Sequence, residues 1–112
     1  MHLVTAIVKP HRVESITEAL KGIDVTGMTI TDVQGFGRQR GHTEVYRGSE
    51  YNVDFLPKVR VDVLCDAGQA EKITDVIADA ARTGKIGDGK IWVTEVGRTV
   101  RIRTGETGED AL

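Results

Sequence analysis

Val59-Arg60-Val61-Asp62-Val63-Leu64 sets three valines at a spacing of two, alternating with Arg60, Asp62 and Leu64. That period gives a strand with one apolar face turned to a core. Working forward, Cys65 reads as a small core residue at the strand end, and Asp66 with Gln69 three residues on has the form of a helix N-cap and its partner. Ile73, Val76, Ile77 and Ala80 continue as an apolar helical stripe that ends near Thr83 and Gly84, and a last strand follows over residues 90–96. Working backward from Val59, a long loop separates this unit from an earlier one. Residues 2–9 form a buried strand, and Pro10 fits the first turn of a helix because it has no amide hydrogen to lose there. Val13, Ile16, Ala19 and Leu20 follow at helical spacing, Gly22 stands as the stop, and a second strand is expected from about Val25 to Gly35.

The order β-α-β, loop, β-α-β predicts an α+β fold of the ferredoxin-like βαββαβ type, an antiparallel four-stranded sheet with both helices on one face. The other face would then turn apolar residues to water, so self-association is expected. At 112 residues the chain reads as one domain, 1–112, able to bury roughly two-thirds of its unfolded surface. One cysteine leaves no internal disulfide framework, and the opening Met1-to-Pro10 run is too short in apolar residues for a signal peptide or membrane span, so a cytoplasmic protein is expected. A formal net charge of −2 gives no broad basic face for nucleic acid.

Gly35 to Phe55 is about twenty residues with no helical period and no core-facing stripe, carrying three arginines and two tyrosines. Loops beyond roughly 12 to 15 residues are usually functional or disordered, and this composition is that of a loop built to touch something. Gly84-Lys85-Ile86-Gly87-Asp88-Gly89-Lys90-Ile91 nearly satisfies the phosphate-loop pattern but puts Ile91 where Ser or Thr is needed. It also follows a helix and precedes a strand, the reverse of the order that motif requires, which disfavours a standard nucleotide hydrolase. Closely spaced glycines can still offer amide donors to an anion, with Lys85 and Lys90 adding charge; the alternative is a tight helix-to-strand connection. Arg101 and Arg103, in an extended segment, would point the same way onto one anion, and no acidic cluster is evident to consume them. A polyphosphate ligand is the leading reading. His2, His11, His42 and Cys65 lack metal-ligand spacing, Trp92 reads as packing, and no nucleophile-base or paired-carboxylate arrangement is visible.

Ile7-Val8-Lys9-Pro10, Thr26-Gly27-Met28-Thr29, the Gly35 to Phe55 loop, Thr83 to Lys90 and Arg101-Ile102-Arg103-Thr104-Gly105-Glu106 together resemble the PII nitrogen-regulatory signal proteins, the GlnB/GlnK group, along the whole chain. The resemblance implies a homotrimer of ferredoxin-like subunits with nucleotide sites between them. It implies a long effector loop at about 37–55, a phosphate-binding turn at about 83–90 and a C-terminal segment at about 98–112. ATP and ADP would compete for the site, and 2-oxoglutarate would bind together with Mg2+ and ATP. Gly27, Met28, Thr29, Val63 and Leu64 would border the adenine, with Ile7 and Ile86 as apolar walls, and Gly35, Gly37 and Arg38 would line the cleft from the loop base. Gly87, Asp88, Gly89 and Lys90 would hold phosphates, joined by Arg101 and Arg103 from a neighbouring subunit. Gln39 would join the magnesium shell and contact 2-oxoglutarate, which Lys58 and Gly87 would also hold.

Further implications are a partner contact at Arg47 in an Amt-type ammonium transporter, and control by a uridylyl- or adenylyltransferase acting on Tyr51. Other nitrogen-metabolism enzymes, including those controlling glutamine synthetase, would be partners too. The membrane is reached only through a partner. Ser49 stands where some family members are phosphorylated; both acceptors are present, and which is used stays open. Asp62 replaces the family's usual Glu beside the cleft, which puts its ligand contact in question. The reading is of a signal protein, not an enzyme, that regulates partners through its loop. The alternatives are a small nucleotide-dependent transferase or phosphatase using the same phosphate site, and a structural or amino-acid-binding module.

Overall fold

The computed structural model describes residues 1–37, 43–46, 49–52 and 55–112. Its main sheet is built from β1 (His2–Val8), β2 (Thr29–Gly35), β5 (Leu56–Cys65) and β6 (Lys90–Glu95), in the order β2-β5-β1-β6 with all pairs antiparallel. Helices α1 (Val13–Lys21) and α2 (Ala70–Ala81) cover one face. This is the ferredoxin-like α+β arrangement that the order of elements predicted.

The alternation read from Val59 to Leu64 decides which face is core. Val59, Val61, Val63 and Cys65 are buried, as are Val4, Ala6 and Val8 of β1. The register places Val4 opposite Val63 and Ala6 opposite Val61, so these side chains share one face. Ile16 and Leu20 of α1 and Ile73 and Ile77 of α2 close onto them. Each helix brings a single apolar stripe, so burial of that stripe against the sheet is what fixes its position.

Several boundaries differ from the expectation. Helix α1 does end at Gly22, but Gly22 keeps right-handed geometry, and the left-handed residue is Asp24, at φ 64°. The amides of Asp24 and Val25 return to the carbonyls of Lys21 and Leu20, closing the helix by a Schellman-type wrap. Ile23, Val25 and Met28 then pack against the core while the chain rounds the helix end, which delays β2 from Val25 to Thr29. Asp66 makes no side-chain cap; its carbonyl accepts from the Gln69 amide in a 3₁₀ turn, Ala67–Gln69, that leads into α2. Helix α2 ends at Ala81, where the Arg12 guanidinium donates twice, at 3.0 and 2.6 Å, to the Ala80 carbonyl.

Inside the segment read as loop, β3 (Thr43–Tyr46) and β4 (Ser49–Asn52) pair antiparallel, Tyr46 opposite Ser49 and Thr43 opposite Asn52. Threonine, valine and tyrosine favour a ladder. With polar residues mixed through both strands, no alternation marks them in the sequence.

The open sheet face is apolar only in part. It carries Leu3, Ile7, Leu64 and Trp92, but a polar band crosses it: Thr5 Oγ1 donates to Asp62 Oδ1 at 2.7 Å, and Arg60 Nε to Asp62 Oδ2 at 2.9 Å. Thr5 is only 1% exposed because Asp62 and Trp92 are its neighbours on the two flanking strands.

Candidate functional site

Three glycines shape the connection from α2 to β6. Gly84, Gly87 and Gly89 have φ of 82°, 99° and 97°, conformations that side chains other than glycine rarely adopt. Gly89 is further constrained, since a Cβ there would stand 1.7 Å from the Ile7 carbonyl oxygen. The turn thus lies directly on the end of β1. Asp88 closes it: Oδ2 accepts the Thr83 and Gly84 amides at 2.9 Å each, and Oδ1 accepts the Thr83 hydroxyl at 2.5 Å. Lys9 reaches across from the end of β1 to Asp88 Oδ1 at 3.2 Å and to Thr83 Oγ1 at 3.0 Å. The Thr83 hydroxyl above all, joined by the two amides and the Lys9 hydrogen bond, outweighs the opposing effect of burial and holds the Asp88 carboxyl far below the usual carboxylate range.

Beside this turn opens a cleft of about 550 Å³, lined by Ile7, Gly35, Phe36, Gly37, Lys58, Ile86, Gly87, Asp88, Gly89, Lys90 and Trp92. Lys58 is 8% exposed, and its Nζ donates to the Gly87 carbonyl at 2.8 Å. Burial, and then the neighbouring Lys9 charge, push its amine below the ordinary lysine value, while Asp88 pulls the other way. A solvated surface role for Lys58 does not fit this setting. Trp92 lines the cleft at 42% exposure, so it is not the packed residue expected. Lys85 does not line the cleft, leaving Lys90 as the turn's lysine there.

Gly27, Met28, Thr29, Val63 and Leu64 line a different cleft, of about 500 Å³, together with Asp24 to Thr26, Asp62, Cys65, Gln69, Ile73, Ala111 and Leu112. On β5 the first cleft sits near Lys58 and the second near Val63, roughly 17 Å apart at the rise of a strand. Within one chain, then, Gly27 to Thr29, Val63 and Leu64, expected around a purine, lie at the opposite end of β5 from the phosphate turn, whereas Ile7 and Ile86, expected as walls of the same purine site, line the phosphate-side cleft. Asp62 borders the second cleft, but both carboxylate oxygens are engaged by Thr5 and Arg60. Burial raises its carboxyl and these two partners outweigh that, leaving it below the usual value.

Arg101 and Arg103 do not lie in an extended segment. Val100 bridges to Thr107, the Gly105 amide donates to the Arg101 carbonyl at 2.8 Å, and residues 102–104 form a turn, so strand alternation does not align the two guanidinium groups. Arg101 is taken by Glu106, at 3.0 Å, and by the Leu112 main-chain oxygen. The expectation that nothing acidic consumes these cations is corrected for Arg101, which Glu106 holds. Cys65 is buried as expected, and burial, followed by the Asp66 charge, raises its thiol. Arg38, Gln39 and Arg47 lie outside the described residues, and Ser49 and Tyr51 are described as backbone alone.

Sequence reasoning missed Lys9, Thr83 and Phe36. Lys9 and Thr83 were within quoted motifs but gave no signal of their own, because they meet each other across 74 positions of sequence. Phe36 meets Phe55 edge to face, centroids 5.3 Å apart, where β2 and β5 part.

Fold and clefts together define a ferredoxin-like protein with recesses at the two ends of β5. Over residues 1–106 the chain matches the family described as nitrogen regulatory protein P-II, and it belongs to that family. It is 55% identical over 112 residues, all of both chains, to nitrogen regulatory protein GlnK of Escherichia coli (strain K12). Over the same full coverage it is 53% identical to nitrogen regulatory protein P-II of Rhizobium meliloti (strain 1021) and 52% identical to that of Pasteurella multocida (strain Pm70). It is accordingly a nitrogen regulatory protein and not an enzyme. Among the described residues no helix is long and apolar enough to cross a membrane.

Proposed function

We propose that the protein reports nitrogen and energy status by binding ATP or ADP, and 2-oxoglutarate with Mg2+ and ATP, at sites shared between the subunits of a cytoplasmic homotrimer. The observation that carries this reading is the separation of the two clefts. One holds the Gly87-to-Lys90 turn and Lys58, the other Gly27 to Thr29 with Val63 and Leu64. Neither is a whole nucleotide site, but the end of one copy set against the opposite end of the next makes one. Such head-to-tail contacts close into rings when the rotation permits.

In this scheme Lys58 and the Gly87 main chain meet the carboxylate of 2-oxoglutarate, and Gln39 completes the magnesium shell. The Lys58 ammonium has three donors, so it can meet the ligand while one of them still holds the Gly87 carbonyl. The output is the segment between β2 and β5, with Arg47 entering an Amt-type transporter and Tyr51, or Ser49, accepting the modifying group. A nucleotidyl group on Tyr51 adds bulk and negative charge, which obstructs entry into a narrow pore.

The test is titration calorimetry with ATP, with and without 2-oxoglutarate and Mg2+, alongside light scattering for the mass. A trimer that binds 2-oxoglutarate well only with Mg-ATP, and ATP more tightly by the same factor in return, supports the reading. Tight 2-oxoglutarate binding without nucleotide, or no reciprocal effect, overturns it. Pull-down of an ammonium transporter with wild type, Arg47→Ala and Tyr51-modified protein tests the output. Capture indifferent to effectors and to both changes would dismiss the segment as the switch.

A further inference from the structure

The Asp88 carboxylate sits at the rim of the cleft proposed to take phosphates, where an ionised acid opposes an anionic ligand. Its geometry resolves the conflict. Both oxygens point into the turn, with four contacts at 2.5 to 3.2 Å from Thr83 Oγ1, the Thr83 and Gly84 amides and Lys9 Nζ. The Thr83 hydroxyl is in turn saturated. It donates to Asp88 and accepts from Lys9 Nζ at 3.0 Å and from the Lys85 amide at 3.2 Å. Three of the turn's amides are therefore spent on its own side chains and are not available to an anion. The rest of the turn is pinned to the sheet: Gly89 lies against the Ile7 carbonyl, and the Gly87 carbonyl accepts from Lys58.

We infer that Thr83, Asp88 and Lys9 form a positioning clamp, which shapes the turn for phosphate without its carboxylate touching the ligand. Lys9 cancels the carboxylate's charge and ties the turn to β1, and the Thr83 hydroxyl holds acid and amine at a fixed separation. The inference rests on the proposed nucleotide reading for its ligand, but the clamp itself is a property of the free protein.

That distinction sets the experiment, made on Thr83→Val, Thr83→Ser and Asp88→Asn in the full chain. Amide hydrogen exchange across residues 83–90 is followed without nucleotide, and Mg-ATP binding by calorimetry. Thr83→Val keeps the shape and loses the hydroxyl. It should speed exchange in the turn and weaken Mg-ATP about tenfold, while Thr83→Ser restores both. Asp88→Asn gives the deciding sign. If the carboxylate merely repels phosphate, its removal tightens Mg-ATP; if it positions the turn, its removal weakens binding by about tenfold. Tighter binding in Asp88→Asn, or unchanged exchange in Thr83→Val, overturns the clamp. Wild-type protein that binds no Mg-ATP overturns the nucleotide reading instead, and the exchange comparison still decides the clamp.

Discussion

The turn at Gly84 to Gly89 and the turn at Arg101 to Glu106 look alike in the sequence, each a run of glycine and cations, yet the fold treats them differently. The first is held from every side: Asp88 caps its amides, Gly89 abuts β1, and Lys58 of β5 grips Gly87. The second is a surface turn closed by its own main chain and one half-exposed ion pair, with Ile102 fully exposed. Glycine spacing and charge count do not distinguish an over-determined turn from a local one. What distinguishes them is contact with strands remote in sequence.

The largest contrast should come from adding one methyl group to each. Gly89→Ala meets the Ile7 carbonyl and a φ of 97°, and should lose about 3 kcal/mol or more of stability in thermal or denaturant unfolding. Gly105→Ala has the same kind of backbone, φ 75°, with open space around it, so about 1 kcal/mol is expected. Equal losses would break the distinction.

For ligand binding, Lys90→Ala should weaken ATP by roughly ten- to hundredfold, the loss of one charge-assisted contact. Arg101→Ala should act at the low end of that range, since its guanidinium must leave Glu106 and Leu112 to reach a phosphate. Calorimetry on both variants checks the order, and unchanged affinity in both would remove the two turns from the site.

Glu106→Gln tests the weaker turn alone. With the Arg101 and Glu106 side chains 33% and 45% exposed, the pair should contribute no more than about 0.5 kcal/mol to stability after solvent screening, readable as a small shift in the unfolding midpoint.

The smallest expected effect is one of pH. Asp88 has a folded value depressed below its ordinary 3.8, so its contribution is fully present above that value and disappears only as pH falls toward the folded one. Amide exchange in the free turn, corrected for the intrinsic rate, should be level from pH 8 to about 5 and lose protection only in stronger acid. A loss of protection between pH 7 and 5 would mean that a different group closes the turn.

Much of the fold was legible in the sequence because burial repeats locally. The valines at 59, 61 and 63 and the stripe at Ile73 and Ile77 each declare a face within a few residues. Element ends were less legible. Asp24, not Gly22, takes the left-handed position, and Asp66 uses its carbonyl rather than its side chain, choices set by how the chain passes the core. The hairpin of β3 and β4 escaped because a mixed polar ladder has no periodic signature.

By itself, the sequence determined a ferredoxin-like βαββαβ order, a glycine turn poised near cations, and membership of a nitrogen-regulatory family along its length. Only the tertiary structure decided that those glycines rest on Ile7, that Asp88 spends its charge on Thr83 and Lys9, and that Arg101 answers to Glu106. It alone put Gly27 to Thr29, Val63 and Leu64 at the opposite end of β5 from the phosphate turn, and Ile7 and Ile86 beside that turn. The reason is physical. Secondary structure follows from local periodicity, whereas the partner of a charge is whichever donor or acceptor the folded chain brings within about 3 Å, and for Lys9 that partner is Asp88, across the fold.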